Sequence, residues 1–489
     1  MSASALPTSG PAAQGVEASG VHAFLDALEA APEIEPHSLM IMRHGHLVAS
    51  GWWAPYTAER RHLMYSLSKS FTGTAAALAE AEGLLDFDAP VISYFPEFEA
   101  EITDPRSRAM LVRHVASMAS GHRRDTVDEA FGRDPAEPVR GFLQLPPDGD
   151  PGTVFAYNQP ATYTLAAIVQ RVTGQPLTAY LRPRLLDPLG VGEVSWRRDR
   201  AGRELGFSGL HATTEDIARL GQLYLRDGLW EGERLLPEGW AARASHPRTP
   251  TAGAMGDVDR QDWDQGYGYQ FWTSRHGYRG DGAYGQFCLV LPEHDVVIAA
   301  TAATERMQEY LNLVWEHLLP AFGPEPLIGR EAADAELGER LGQLALPPAP
   351  GRPAPPEPEP EPERERDWTA AVFTPSAETG PVRSAGLARD ADGWTLTLTG
   401  EADRPDRPDR LALRLAGEGW TVAEEPAPTA VSGGWTDSGT LAVEVVFLET
   451  PHRLALTCSL AGRTLTAHWR TRPLHGGRLT TLRAPRRSV

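Results

Sequence analysis

The chain is nearly without lysine. Of its 46 lysine and arginine residues, Lys69 is the single lysine. Asparagine is almost as scarce, occurring only at Asn158 and Asn312, and cysteine stops at Cys288 and Cys458. Two distant cysteines in apolar, strand-like runs build no disulfide framework and no zinc spacing, so buried thiols are expected. Basic charge is short overall. A formal net charge of −19 argues against nucleic-acid and anionic-membrane partners. Long apolar runs are missing as well: no stretch approaches the roughly eighteen residues of a membrane span. Met1 to Gly20 show neither the basic start nor the apolar stretch of a secretory signal. The expectation is a cytoplasmic protein. Abundant Arg, Ala, Gly and Pro point to a high-GC genome, which by itself depresses lysine.

With 489 residues, 41% of them hydrophobic, the chain has room for two or three domains and a large core. Residues 1–20 read as a mobile leader. The periodicity predicts helices over 21–30, from Ser66 to about Glu82 with Gly83 as the stop, and over 161–172 with Gly174 ending it. Another starts near Thr213, with Thr213 as N-cap and Asp216 at N3. Apolar runs at 39–42 and 47–49 flank Gly45 and predict a hairpin. Strands are expected over 266–272, 287–291 and 296–301, followed by a helix over 308–319. These alternating elements give an α/β or α+β unit over 21–325. Residues 326–367 are expected to hold a helix and a Pro/Glu-rich linker, too poor in apolar residues to bury a core. Beyond it, five short runs with strand periodicity (394–398, 411–415, 441–447, 453–460 and 464–469) predict an all-β accessory domain over 368–489.

The lone lysine stands three residues after Ser66, in Tyr65-Ser66-Leu67-Ser68-Lys69-Ser70. By chance that spacing arises in about one chain in twenty. One helical turn puts both side chains on one face. A serine hydroxyl needs a base to become a nucleophile. A desolvated lysine can lose its proton and serve; an arginine cannot. Two further segments offer chemistry. Tyr157, in Phe155-Ala156-Tyr157-Asn158-Gln159 ahead of a helix, either projects a phenol into a cleft as part of a proton relay or packs under a loop. Gly280-Asp281-Gly282-Ala283-Tyr284-Gly285-Gln286 precedes an apolar strand, and its glycines would let a substrate approach the backbone. An N–H of Gly282 or Ala283, paired with that of Ser66, would form an oxyanion hole.

Taken in order, these three segments resemble the serine β-lactamase and penicillin-binding-protein-like family, in its class C and esterase branch. The resemblance spans about residues 20–325. Gly83 to Val91 and Gly209 to Arg219 match further recurrent segments of that family. It implies a three-layer domain with an antiparallel sheet flanked by helices. The C-terminal strand runs lie outside it and by their own periodicity predict a barrel or sandwich of lipocalin-like pattern. The resemblance implies acyl transfer by Ser66, Lys69 and Tyr157 with no metal or cofactor. The expected substrate is a small molecule or short peptide, and homo-oligomerisation is left open. There are two departures from the family pattern. Its second motif reads Tyr-x-Asn, whereas here Gln159 takes the Asn place and Asn158 lies between. Its third motif offers Lys or His, then Thr or Ser, then Gly, and no such triplet precedes Gly285. The Gly282 to Gln286 form is similar to the branch containing 6-aminohexanoate-dimer hydrolase and related esterases. Asn158, Gln159, Arg279 and Asp281 are the expected substrate-binding residues, with Arg279 as a replacement for the missing cation.

Competing readings are an acyltransferase or thioesterase using the same acyl-enzyme, and a ligand-binding protein on this fold without catalysis. Met42-Arg43-His44-Gly45 also resembles the Arg-His-Gly core of histidine phosphatases, but it sits at the expected hairpin turn with no helix behind it.

Overall fold

In a computed structural model, residues 5–253, 260–355, 368–376, 380–391, 393–401, 409–415, 417–474 and 477–485 are described. The chain divides into two compact units. The first holds residues up to Gly51 together with Leu63–Gly342, and the second joins Trp52–His62 to Gln343–Ala484.

The first unit is built on a six-stranded antiparallel sheet. Its strands are β1 (Glu35–Arg43), β2 (His46–Trp52), β3 (Trp272–Thr273), β4 (Tyr278–Gly282), β5 (Gln286–Leu291) and β6 (Val296–Ala303), in the spatial order β2-β1-β6-β5-β4-β3. β1 and β2 form the expected hairpin. His44 (φ 50°) and Gly45 (φ 80°) make a two-residue turn with both φ positive, the geometry that matches strand twist. The Arg-His-Gly triplet is therefore a turn, and Arg43 Nη1 is spent on the Gly15 carbonyl at 2.8 Å.

Main helices are α1 (Ala18–Ala30), α2 (Ser68–Ala81), α3 (Gln159–Thr173), α4 (Thr214–Leu225), α5 (Met307–Leu313) and α6 (Glu331–Gly342). Neighbouring residues of β5 show that helices cover both faces of the sheet. Cys288 reaches α4 through Ile217, while Phe287, on the opposite face, meets Tyr310 of α5 with ring centroids 5.1 Å apart. This double coverage explains why all eight residues of β6 are buried. α2 lies between layers and is buried on nearly every side, which its run of small residues permits. α4 starts at the expected cap: Thr213 and Asp216 exchange hydrogen bonds between side chains and backbone.

Three local expectations are corrected. Residues 5–17, read as part of a mobile leader, are packed: Leu6, Ala12 and Val16 are buried, and Leu47 N–H donates to the Pro7 carbonyl at 2.7 Å. The strand expected over 266–272 is a loop up to Trp272, and β4 arises instead from Tyr-Arg-Gly-Asp-Gly at 278–282. Its two glycines lower strand propensity, yet tertiary contact requires them, as shown below. The helix expected over 308–319 gives way at Val314 to a wider turn ahead of Pro320, which has no N–H to continue it. The segment after residue 325 holds α6; residues 356–367 of the expected linker lie outside the described residues.

The second unit is one nine-stranded sheet. Its strands are β7 (Val372–Pro375), β8 (Ser384–Asp390), β9 (Gly393–Thr399), β10 (Arg410–Leu415), β11 (Thr421–Ala423), β12 (Thr429–Asp437), β13 (Thr440–Phe447), β14 (His452–Ser459) and β15 (Thr464–Trp469). The order is β10-β9-β8-β7-β15-β14-β13-β12-β11, and its ends return beside each other, giving a nearly closed all-β barrel. Among the described residues, only β7 and β15 pair in parallel. Alternation sets the inside: along β9, Trp394, Leu396 and Leu398 are buried. Trp368, Trp394 and Trp435 fill the interior together with leucines and valines, so the barrel has a packed core.

Candidate active site

Ser66 lies in a single 3-10 turn, Tyr65–Leu67, that leads directly into α2. Tyr65 before it is left-handed (φ 46°), a conformation that costs a bulky residue energy. The Tyr65 ring meets Tyr284 edge-on at 5.7 Å, and both belong to a small buried cluster with Leu63. Packing thus holds the turn that presents the serine.

Lys69 occupies the first turn of α2 and is 1% exposed. Its Nζ stands 3.0 Å from Ser66 Oγ, 2.7 Å from Gln159 Oε1 and 2.8 Å from the Phe207 carbonyl. Aromatic faces close the rest: Nζ lies 4.7 Å from the Tyr157 ring centroid and 5.8 Å from that of Phe207. Burial lowers the lysine pKa to about 7, while the charges of Asp125 and Asp281 pull the other way. Near neutral pH an appreciable share of Lys69 is therefore unprotonated.

Tyr157 precedes α3, and its phenol lies beside Ser66. Its ring stacks on Trp272 at 5.4 Å and meets Tyr267 edge-on at 6.0 Å. Burial, reinforced by the Asp281 charge, pushes its pKa well above the ordinary tyrosine value. The phenol is neutral at pH 7 and is a proton donor there, not a phenolate.

The third segment reaches the serine by close backbone approach. A Cβ on Gly280 would lie 2.4 Å from Ser70 Oγ, and one on Gly282 would lie 2.1 Å from the Met64 carbonyl oxygen. Only glycine lets β4 lie against the start of α2. The next peptide is pinned on both sides: Gly285 N–H donates to the Gly282 carbonyl at 3.2 Å, and Gln286 Nε2 donates to the Ala283 carbonyl at 3.1 Å. Among the described residues, Ala283 N–H has no backbone acceptor.

The other expected binding residues divide. Gln159 and Asp281 reach the lysine's surroundings, Gln159 by direct hydrogen bond and Asp281 by charge. Asn158 does not: it is fully buried, and its Oδ1 accepts from Thr126 N–H at 2.9 Å and from Thr126 Oγ1 at 3.0 Å. Arg279 is also fully buried. Nε pairs with Asp281 at 3.0 Å, and Nη1 binds the Asp262 carbonyl and Ser274 Oγ. Its guanidinium lies 4.4 Å from the Trp263 ring centroid. Burial raises the Asp281 pKa, and Arg279 opposes this. Sequence reading missed Asp125, the Phe207 carbonyl, Tyr267 and Trp272. A backbone carbonyl leaves no side-chain signature, and Asp125 belongs to no motif. Among the described residues, no group of three or more His, Cys, Asp or Glu side chains is arranged to hold a metal.

Known proteins are similar to this chain in sequence. The Beta-lactamase family profile matches residues 23–319, leaving the nine-stranded sheet outside it. The chain is 28% identical over 286 residues to 6-aminohexanoate-dimer hydrolase of Paenarthrobacter ureafaciens, covering 53% of this chain and 71% of that protein. It is 27% identical over 271 residues to penicillin-binding protein 4 of Amycolatopsis lactamdurans, covering 48% and 70%. Among solved structures, EstCE1, a hydrolase with promiscuous acyltransferase activity, shares the fold at TM-score 0.50 and 18% identity, over 61% of this chain and 98% of that one. With the family match spanning more than half its length and falling on the unit that holds Ser66, the chain belongs to the beta-lactamase family of serine hydrolases.

Proposed function

We propose that this protein cleaves an ester or amide bond of a small molecule or short peptide through an acyl-enzyme on Ser66. The observation that carries the reading is the 3.0 Å approach of Lys69 Nζ to Ser66 Oγ at a lysine whose pKa burial brings to about 7. Unprotonated Lys69 takes the hydroxyl proton as Ser66 Oγ attacks the carbonyl carbon. The negative oxygen of the tetrahedral intermediate rests on the N–H groups of Ser66 and Ala283, with Gly282 supplying the turn. As the intermediate collapses, the neutral Tyr157 phenol passes a proton to the leaving group and is reprotonated from Lys69. Water then adds to the acyl-enzyme by the same route in reverse, regenerating Ser66 and releasing the acid. No step requires a metal or a cofactor.

The buried free thiols Cys288 and Cys458 need no oxidising compartment, which fits a cytoplasmic location. Among the described residues no helix is long and apolar enough to cross a membrane. The deciding experiment is a panel of p-nitrophenyl esters, D- and L-aminoacyl amides and nitrocefin, with Ser66→Ala as blank, alongside labelling by a fluorophosphonate. Labelling and turnover that Ser66→Ala abolishes are expected. An unlabelled wild type, inert to the whole panel, favours the non-catalytic binding protein.

A further inference from the structure

We propose that Thr72, together with the Trp196 indole, positions the catalytic lysine by holding the Phe207 carbonyl against its amine, a role that rests on the Ser66 reading above. A neutral lysine amine carries two N–H bonds and one lone pair. To take the Ser66 proton the lone pair must face Ser66 Oγ, so both N–H groups must be directed elsewhere. Two acceptors other than the serine meet Nζ: Gln159 Oε1 at 2.7 Å and the Phe207 carbonyl at 2.8 Å. Each takes one N–H, which leaves the lone pair for Ser66 Oγ, 3.0 Å away. Where these two oxygens stand therefore sets the direction of the base.

The Phe207 carbonyl lies in a loop, and the carbonyls on either side of it are both fixed by buried side chains. Thr72 Oγ1 donates to the Gly206 carbonyl at 2.9 Å, and Trp196 Nε1 donates to the Ser208 carbonyl at 2.8 Å. The turn itself is tight, with Phe207 N–H donating to the Leu205 carbonyl at 2.8 Å. Gly206 is left-handed (φ 71°), and a Cβ there would lie 2.3 Å from Ala166 Cβ, so the loop is pressed against α3. Further along, Leu210 N–H donates to Ser68 Oγ at 3.0 Å. With its neighbours pinned on both sides, the Phe207 peptide has little freedom to turn its oxygen away from the amine.

Thr72 does this against its local preference. A threonine inside a helix often donates back to the carbonyl four residues earlier. Thr74 does so, at 2.8 Å to the Ser70 carbonyl. For Thr72 the same contact, to the Ser68 carbonyl, is 3.4 Å, and the shorter bond goes to Gly206. Ser68, Lys69 and Thr72 are neighbours on one face of α2. Together they bind a single loop, 206–210, to the start of that helix.

The test is the rate of fluorophosphonate labelling of Ser66 against pH, with p-nitrophenyl acetate turnover in parallel. The groups around the amine are the Ser66 hydroxyl, the Gln159 amide, the neutral Tyr157 ring and the Phe207 carbonyl and ring. The charges acting on it are Asp125 and, on β4, Asp281 with its partner Arg279. Among the described residues Thr72 bonds to none of these charged groups. Thr72→Val replaces the hydroxyl by a methyl and leaves the Gly206 carbonyl without its donor. The expected result is a fall in plateau labelling rate and kcat of about 10-fold or more, with KM little changed. Protonated Lys69 has three N–H donors for three acceptors, so a displaced acceptor costs the cation more than the neutral amine. The acid limb should therefore hold or move to lower pH. Mere loosening of the site would instead rehydrate the lysine and move that limb up. Thr72→Ser, which keeps the hydroxyl, should recover most of the rate.

A Thr72→Val protein with the wild-type rate overturns the proposal. So does an acid limb that moves up with the loss, or a Thr72→Ser protein as slow as Thr72→Val, since the effect would then lie in methyl packing. If Thr72→Val melts early, Trp196→Phe decides instead. It removes the indole N–H from the Ser208 carbonyl while keeping an aromatic ring, the same loss is expected, and a wild-type rate there overturns the proposal equally. Absence of labelling in the wild type would overturn the Ser66 reading. Equal labelling of wild type and Thr72→Val overturns the Thr72 role alone.

Discussion

Lys69 Nζ and Ser66 Oγ lie 3.0 Å apart, with the lysine sealed from solvent and its pKa brought to about 7. The active form is the unprotonated amine, so the sign is settled: lowering the pH protonates the base. The expected profile of kcat/KM or labelling rate falls as pH drops through about 7, tenfold per unit well below it. A flat profile between pH 5.5 and 8 would contradict lysine as the base. Lys69→Arg keeps a cation that cannot deprotonate, and its expected rate loss is on the order of 10²–10⁴-fold.

Tyr157→Phe separates chemistry from packing. The ring keeps its place on Trp272, and only the phenol beside Ser66 is lost. The expected loss in kcat is about 10²–10⁴-fold with melting temperature nearly unchanged. Comparable losses of both would mean that the tyrosine mainly packs.

Arg279→Ala is expected to act on stability. It leaves the buried Asp281 carboxylate without its cation, at a cost of about 3–5 kcal/mol. Thermal unfolding should show this, while turnover of carboxylate-bearing and neutral substrates should fall by the same factor. A selective loss on carboxylate-bearing substrates would restore Arg279 as a substrate receptor.

Gly282→Ala tests the approach of β4 to the nucleophile. The added methyl would meet the Met64 carbonyl oxygen at 2.1 Å, and backbone cannot step aside cheaply. The expected outcome is about 1–3 kcal/mol of destabilisation, with acylation slowed far more than stability alone explains, because the oxyanion donor at Ala283 shifts with the strand. Wild-type acylation in a folded Gly282→Ala protein would remove this segment from the oxyanion site.

Legibility in the sequence followed the range of the interaction. Ser66 and Lys69 are one helical turn apart, so their meeting is a local fact that spacing carries. The caps at Thr213 and Gly174 and the turn at Gly45 are equally local, and all three were readable. So were the five C-terminal runs, because period-two burial is written into each strand. β4 was not, since its glycines are explained only by Ser70 and Met64, about 200 residues away in the chain.

What the sequence by itself determined was the chemistry: one lysine, placed where a serine needs a base, among 45 arginines that cannot do its work. It also carried the order of the three motifs and the switch to an all-β unit. The tertiary structure decided which polar residues turn toward that lysine. Arg279 and Asn158 look equally available in the sequence, but folding buries the first against Asp281 and Trp263 and the second against Thr126. Asp125, unmarked in the sequence, is brought to Gln159. The physical reason is desolvation. A buried polar group must find its partners at whatever sequence distance the fold supplies them, and only the folded chain shows which partners those are.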